Sequence, residues 1–145
     1  MSWKALEEAN PELAAFGLRR FSAGIAYLGT VAKDGSPRVH PVTPIIGQGR
    51  VFLFMEPTSP KGFDLRRGSR YALHSMVEDN EGGGGEFMVT GTGRFIEDAA
   101  TRALAVELSV YDPADRYILF ELYIDSALGF IYKPDNKIRM YWKKE

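Results

Sequence analysis

The sequence predicts a mainly β fold, an antiparallel barrel of about six strands carrying short accessory helices. Three observations predict it. Strand-like runs follow one another from Gly24 onward with turn signals between them. No regular alternation of strand with crossover helix is visible, which argues against a parallel sheet. The best alternating run, "EFMVTGTGRFIED", sets two glycines two residues apart on one face, as barrel curvature or close packing requires.

Ahead of the strands, Leu13, Phe16, Leu18 and Phe21 fall near one stripe and predict a short amphipathic helix over Leu13–Phe21. Arg19 and Arg20 sit near its C-terminal end, where cations favour the helix dipole. "GIAYLGTV" then runs into "AKDGSP", whose Asp34-Gly35 is a strong turn signal, and "RVHPVTPII" returns as the second arm of a hairpin. "GQG" turns the chain into "RVFLFMEP", a third consecutive antiparallel strand. Pro41 and Pro44 lack ladder donors, which puts the Arg38–Ile46 strand at an edge, at a bulge or facing a ligand.

A short helix over Ser59–Arg67 leads into "SRYALHSMV", a fourth strand. "EDNEGGGG" is a loop whose four glycines predict mobility. In the long alternating run, Phe87, Val89, Gly91, Gly93 and Phe95 share one face, and Met88, Thr90, Thr92 and Arg94 share the other. Asp98 is placed to cap a helix reaching about Val110, and Asp112-Pro113 ends it. The rest, "RYILFELYIDSALGFIYKPDNKIRMYWKK", is aromatic-rich and strand-like, turned by "KPDN".

With 145 residues, 45% of them hydrophobic and 12% aromatic, the chain can fill one core, so one domain over residues 1–145 is expected. Eighteen basic and 19 acidic residues leave a formal charge of -1, so no global field draws the protein to nucleic acid or to an anionic membrane. Any anion site must be local. The absence of cysteine excludes disulfides, thiolate ligands and cysteine nucleophiles, and suits a reducing compartment. The opening "LEEANPEL" is acidic and broken by Pro11, unlike a signal peptide, and no apolar run approaches the roughly 20 residues that span a bilayer. A soluble, cytoplasmic protein is expected.

The stretch that carries chemistry is "PTSPKGFDLRRGSR", Pro57–Arg70. Hydroxyls, a lysine and a helix start meet where an apolar strand ends, an arrangement suited to an anion. Taken locally, Ser59 also reads as a helix cap and Lys61 as a solvated first-turn lysine. The order of the surrounding motifs favours the anion. An arginine, Arg38, opens the preceding strand in "PRVHPV"; Ser59 and Lys61 stand two apart after the next; Arg70 opens the one after that; and the long strand "EFMVTGTGRFIED" runs into a helix.

That ordered set, from about Gly24 to Trp142, resembles the FMN-binding split-barrel family of pyridoxamine 5'-phosphate oxidase-like proteins. The resemblance implies an antiparallel split β-barrel and a flavin whose phosphate is gripped by Arg38, Thr58, Ser59 and Lys61. The ring would lie along the backbones of Val39, His40, Pro41 and Val42 and of Phe54, Met55 and Glu56. It implies a homodimer with cofactor sites at the interface, and redox chemistry done by the cofactor on a small-molecule substrate.

The departures are specific. Many relatives carry Ser-Arg-Lys where this chain has Ser59-Pro60-Lys61, removing one cation for which Arg66 or Arg67 is the substitute at hand. Glu86 stands where a glutamine commonly touches the flavin, and a carboxylate cannot donate to a flavin carbonyl. A deazaflavin therefore stays open beside FMN. The C-terminal Arg-Leu-x-Pro-like signature of vitamin-B6 oxidation is absent. Tyr132, Tyr141 and Trp142 suit either a flavin-stacking wall or ordinary packing. His40 shares a strand face with Arg38, and His74 reads as a satisfied interior or interface histidine. A flavin- or haem-binding module without turnover is the rival class.

Overall fold

The structure, a computed structural model, describes residues Met1–Glu145. Its twelve elements run α1 (Trp3–Ala9), α2 (Pro11–Ser22), β1 (Ala26–Val31), β2 (Pro37–Val42), β3 (Ile45–Gly47), β4 (Arg50–Met55), α3 (Pro60–Arg66), β5 (Arg70–Ser75), β6 (Glu86–Ile96), α4 (Ala99–Leu108), β7 (Ile118–Tyr132) and β8 (Lys137–Lys143). All strand pairs are antiparallel, in the order β2-β1-β5-β6-β7-β4-β3, with β8 added to β7. The expected barrel with accessory helices is what forms, with eight strands where about six were read. Part of the difference is Thr43-Pro44, which interrupts the Arg38–Ile46 run and leaves Ile45–Gly47 to pair with β4 instead of β1. Pro44 has no N–H to continue a ladder, so the chain changes partner there.

The N-terminal segment is more ordered than its acidic sequence suggests. Trp3 and Leu6 of α1 are fully buried, and Asn10 caps α2 by accepting the Leu13 N–H at 3.1 Å, with Pro11 at the first helical position. Trp3, Phe16 and Phe21 close around Phe87 of β6 in edge-on or tilted contacts of 5.1–6.5 Å. The amphipathic helix is therefore a plug over the core, and it is longer at both ends than the Leu13–Phe21 stripe.

β4 explains its apolar run "VFLFM". Val51, Leu53 and Met55 face the main core while Phe52 and Phe54 face a second cluster under α4, so both sides are buried. α4 starts as expected, with Asp98 accepting the Thr101 N–H at 2.9 Å, but it ends at Leu108, before the Asp112-Pro113 stop. In β6 the alternation holds through Phe87, Val89 and Gly91. Beyond it the two faces persist, with Phe95 half-buried against the main core and Ile96 buried in the second cluster, while the register with β7 shifts between Thr90 and Gly91 because Asp125 is an extra residue on β7. A Cβ on Gly91 would overlap the Tyr123 carbonyl, which is the close backbone approach that the paired glycines suggested.

The glycine-rich loop is stitched to itself. Asp79 accepts the N–H groups of Glu81 and Gly83 at 2.9 Å, and Gly82, Gly84 and Gly85 hold φ values of 76–80° that side chains resist. Its glycines serve a tight path.

Across the outer sheet face, pairing aligns Pro41, Tyr27, His74, Met88, Leu128 and Tyr141 in one row over six strands. Tyr27 and Tyr141 are 46% and 47% exposed. No helix is long and apolar enough to cross a membrane.

Candidate cofactor site

β2 is the sheet edge and pairs only with β1. Arg38 and His40 stand opposite Thr30 and Leu28, both buried, so these two side chains lie on the inner face of the edge strand. α3 packs against β1 and brings Lys61, Asp64 and Arg67, each three residues apart, to the same place.

Asp64 is the centre of the charge network. Its side chain is 1% exposed; Oδ2 accepts Thr30 Oγ1 at 2.7 Å and Arg38 Nε at 2.8 Å, while Oδ1 accepts Arg67 Nη2 at 2.7 Å. Burial opposes its ionisation, but the hydrogen bonds from Arg38, Thr30 and Arg67 outweigh burial and hold the carboxyl at about 2.

Lys61 is arranged differently. Its Nζ donates to Ser59 Oγ at 2.8 Å, and it makes no ion pair. Burial alone lowers its affinity for the proton. Ser59 is itself buried and its hydroxyl does not cap α3, which removes the reading of this serine as a plain helix cap. At the helix start the Gly62 and Phe63 N–H groups both bond to the Ser59 carbonyl, and Pro60 has no N–H to offer.

His40 lies within Coulombic reach of Arg38, Lys61 and Asp64. Burial, then Lys61 and Arg38, push its ring toward the neutral form, with Asp64 opposing them. Its Nε2 is buried and has no hydrogen-bond partner. Three cations, Arg38, Lys61 and Arg67, face one carboxylate, Asp64, which leaves a local charge of +2 with His40 neutral.

The other residues of the sequence-based site are dispersed. Val39 is 67% exposed and points with Pro41 to the outer face, while Val42 packs against the main core. Phe54 and Met55 are buried on opposite sides of β4. Glu56 is engaged by Arg116, whose Nε lies 3.0 Å from Oε2, and Thr58 is exposed in the turn. Of the two substitute cations, Arg67 joins Asp64 and Arg66 lies 4.0 Å above the Phe95 ring. Arg70 pairs with Asp125 at 2.6 Å. Glu86 accepts Tyr132 Oη at 2.7 Å, with His74 Nε2 at 3.5 Å, so its carboxylate already has partners within the chain. Sequence reasoning missed Asp64 and Thr30. The three-residue spacing of Lys61, Asp64 and Arg67 was the available signal for Asp64; Thr30 had none.

The sheet order, with β2 and β3 at the two ends of the path and β8 appended to β7, decides the architecture. The chain has the split-barrel fold of pyridoxamine 5'-phosphate oxidase-like proteins. Split barrels superpose on it over nearly its whole length. PhzG from Burkholderia lata 383, solved with tetrahydrophenazine-1-carboxylic acid, matches at TM-score 0.69 and 17% identity over 96% of this chain and 91% of that one. A general stress protein 26-related member of the pyridoxinephosphate oxidase family from Clostridium acetobutylicum matches at TM-score 0.60 and 18% identity over 94% of each chain. A haem-binding protein from Mycobacterium smegmatis matches at TM-score 0.65 and 17% identity over 87% of this chain and 57% of that one. No family model matches the sequence, and no curated protein does. At such identities split barrels share architecture, and function rests on the site.

Proposed function

We propose that this split barrel is an FMN-dependent oxidoreductase acting on a small molecule. It works as a homodimer whose cofactor phosphate is held by Lys61, Ser59 and Arg38. The observation that carries the reading is Lys61, a half-buried cation beside a buried hydroxyl with no carboxylate to balance it. A local charge of +2 fits the terminal phosphate monoester of FMN, which is close to a dianion at neutral pH. A deazaflavin whose phosphate is a diester brings one charge fewer and fits less well.

The edge position of β2 supports the rest of the placement. Its backbone groups on the side away from β1 have no strand partner, which leaves them for the polar rim of the ring along Val39–Val42. Each charge-assisted hydrogen bond contributes about 1.5–3 kcal/mol, so three supply roughly 4.5–9 kcal/mol toward offsetting the immobilisation cost, and burial of the ring adds to them. Bound FMN would supply hydride or electron transfer; the chain's own residues supply grip, orientation and field. The outer row around Tyr27 and Tyr141 is the face on which a second copy would dock.

The deciding experiment is an absorption spectrum of the protein as purified, followed by anaerobic titration with FMN, a deazaflavin and haem in turn. Bands near about 375 and 450 nm that follow FMN binding support the reading. The structural likeness to a haem-binding protein favours a second reading, a binding module without turnover. That reading gains if haem binds tightly and FMN does not, or if bound FMN exchanges electrons with neither NADH nor NADPH.

A further inference from the structure

The charge network leaves one polar group unaccounted for. His40 lies on the inner face of β2 beside Arg38, across from the apolar Leu28 of β1, and near Lys61 and Asp64 of α3. Its Nε2 is closed off from solvent and bonds to nothing. Buried polar atoms in native proteins nearly always have a partner, so an orphan in a cationic corner points to a group that arrives from outside. Nothing in the chain supplies an acceptor here: the Asp64 oxygens serve Thr30, Arg38 and Arg67, and the Ser59 hydroxyl serves Lys61.

We propose that His40 is a further anion-binding residue of this site, taking up a proton from solvent as the dianionic phosphate docks and donating a hydrogen bond to it from the imidazolium. The inference rests on the phosphate reading above and adds a pH dependence to it. In the free chain burial first, then Lys61 and Arg38, favour the neutral ring and only Asp64 opposes them. A dianion placed between Lys61 and Arg38 cancels the +2 field, and a direct hydrogen bond from the ring to it favours the imidazolium against burial. Binding and proton uptake are then linked: affinity falls as pH rises through the ring's titration in the complex. Cofactor release is favoured on the alkaline side. The phosphate's own second ionisation, near about 6, acts in the opposite sense, so the histidine is isolated above pH ~7.

The test is calorimetric titration of FMN into the full chain at pH ~7.5, in phosphate-free buffers of different ionisation heat, with riboflavin as the phosphate-free comparison. Uptake of roughly half a proton per FMN is expected in the unaltered protein. Close to none is expected for riboflavin or in His40→Gln, whose FMN affinity drops about tenfold. Nuclear magnetic resonance gives a readout that does not need the variant. With only two histidines in the chain, the His40 ring should titrate at clearly higher pH with FMN bound than without. FMN binding that depends on Lys61 but leaves the His40 titration unmoved, or equal proton uptake in His40→Gln, overturns the role of His40 alone. FMN binding that is absent, or indifferent to Lys61→Ala, removes the phosphate reading and this inference with it.

Discussion

Arg38 Nε and Asp64 Oδ2 lie 2.8 Å apart across a sequence separation of 26 residues, so the edge strand and the short helix are locked by one charged hydrogen bond. Asp64 thereby consumes part of the positive charge that the sequence assigned to an anion, and Lys61 is left as the cation without a partner. The division of labour differs from a simple pair of phosphate-binding cations. Arg38 both braces α3 and borders the site, whereas Lys61 has only the site.

Alanine substitution should separate those roles. Lys61→Ala and Arg38→Ala are each expected to weaken FMN binding at least tenfold, or about 1.4 kcal/mol, by flavin fluorescence titration. Arg38→Ala should also lower the melting temperature, because Asp64 loses a donor, while Lys61→Ala should not. Unchanged FMN affinity in both variants would dispose of the phosphate cradle.

Asp64 makes stability depend on acid. Its folded carboxyl titrates at about 2, below the ordinary 3.8, so the stabilisation is complete above pH ~3.8 and is lost as pH falls toward ~2. The magnitude is about 2 kcal/mol. Urea unfolding at pH 6 and pH 3 should show about half of this loss in the unaltered chain, and Asp64→Asn should be weaker at pH 6 with a shallower decline between the two.

The outer row of the sheet offers a test of assembly. Tyr27→Lys puts a charge between Pro41 and His74 in that row, and the mass by light scattering should fall from dimer to monomer. FMN affinity is expected to fall with it, since the cofactor site is proposed at the interface. A dimer that survives this change would place the contact elsewhere.

Gly91 tests the close approach of β6 to β7 beside the register shift. Its added Cβ would meet the Tyr123 carbonyl, which belongs to the backbone of β7 and cannot swing aside. Gly91→Ala is therefore expected to destabilise the fold by about 2–4 kcal/mol in chemical unfolding, while Gly29→Ala, whose Cβ would meet only ordinary van der Waals contacts, should cost little.

Local pattern by itself determined the barrel, the cap at Asp98, the turn at Asp34-Gly35, and the cluster of Ser59 and Lys61 at a strand end. These depend on alternation, caps and turn residues a few positions apart, which a single sequence displays. Only the tertiary structure decided what the charges do. Asp64 meets Thr30 and Arg38 through pairing between β1 and β2 and the packing of α3, over separations of 34 and 26 residues. Which cation is neutralised and which is left to a ligand is set by that packing, since attraction between charges acts through space and burial, neither of which is written in the order of residues.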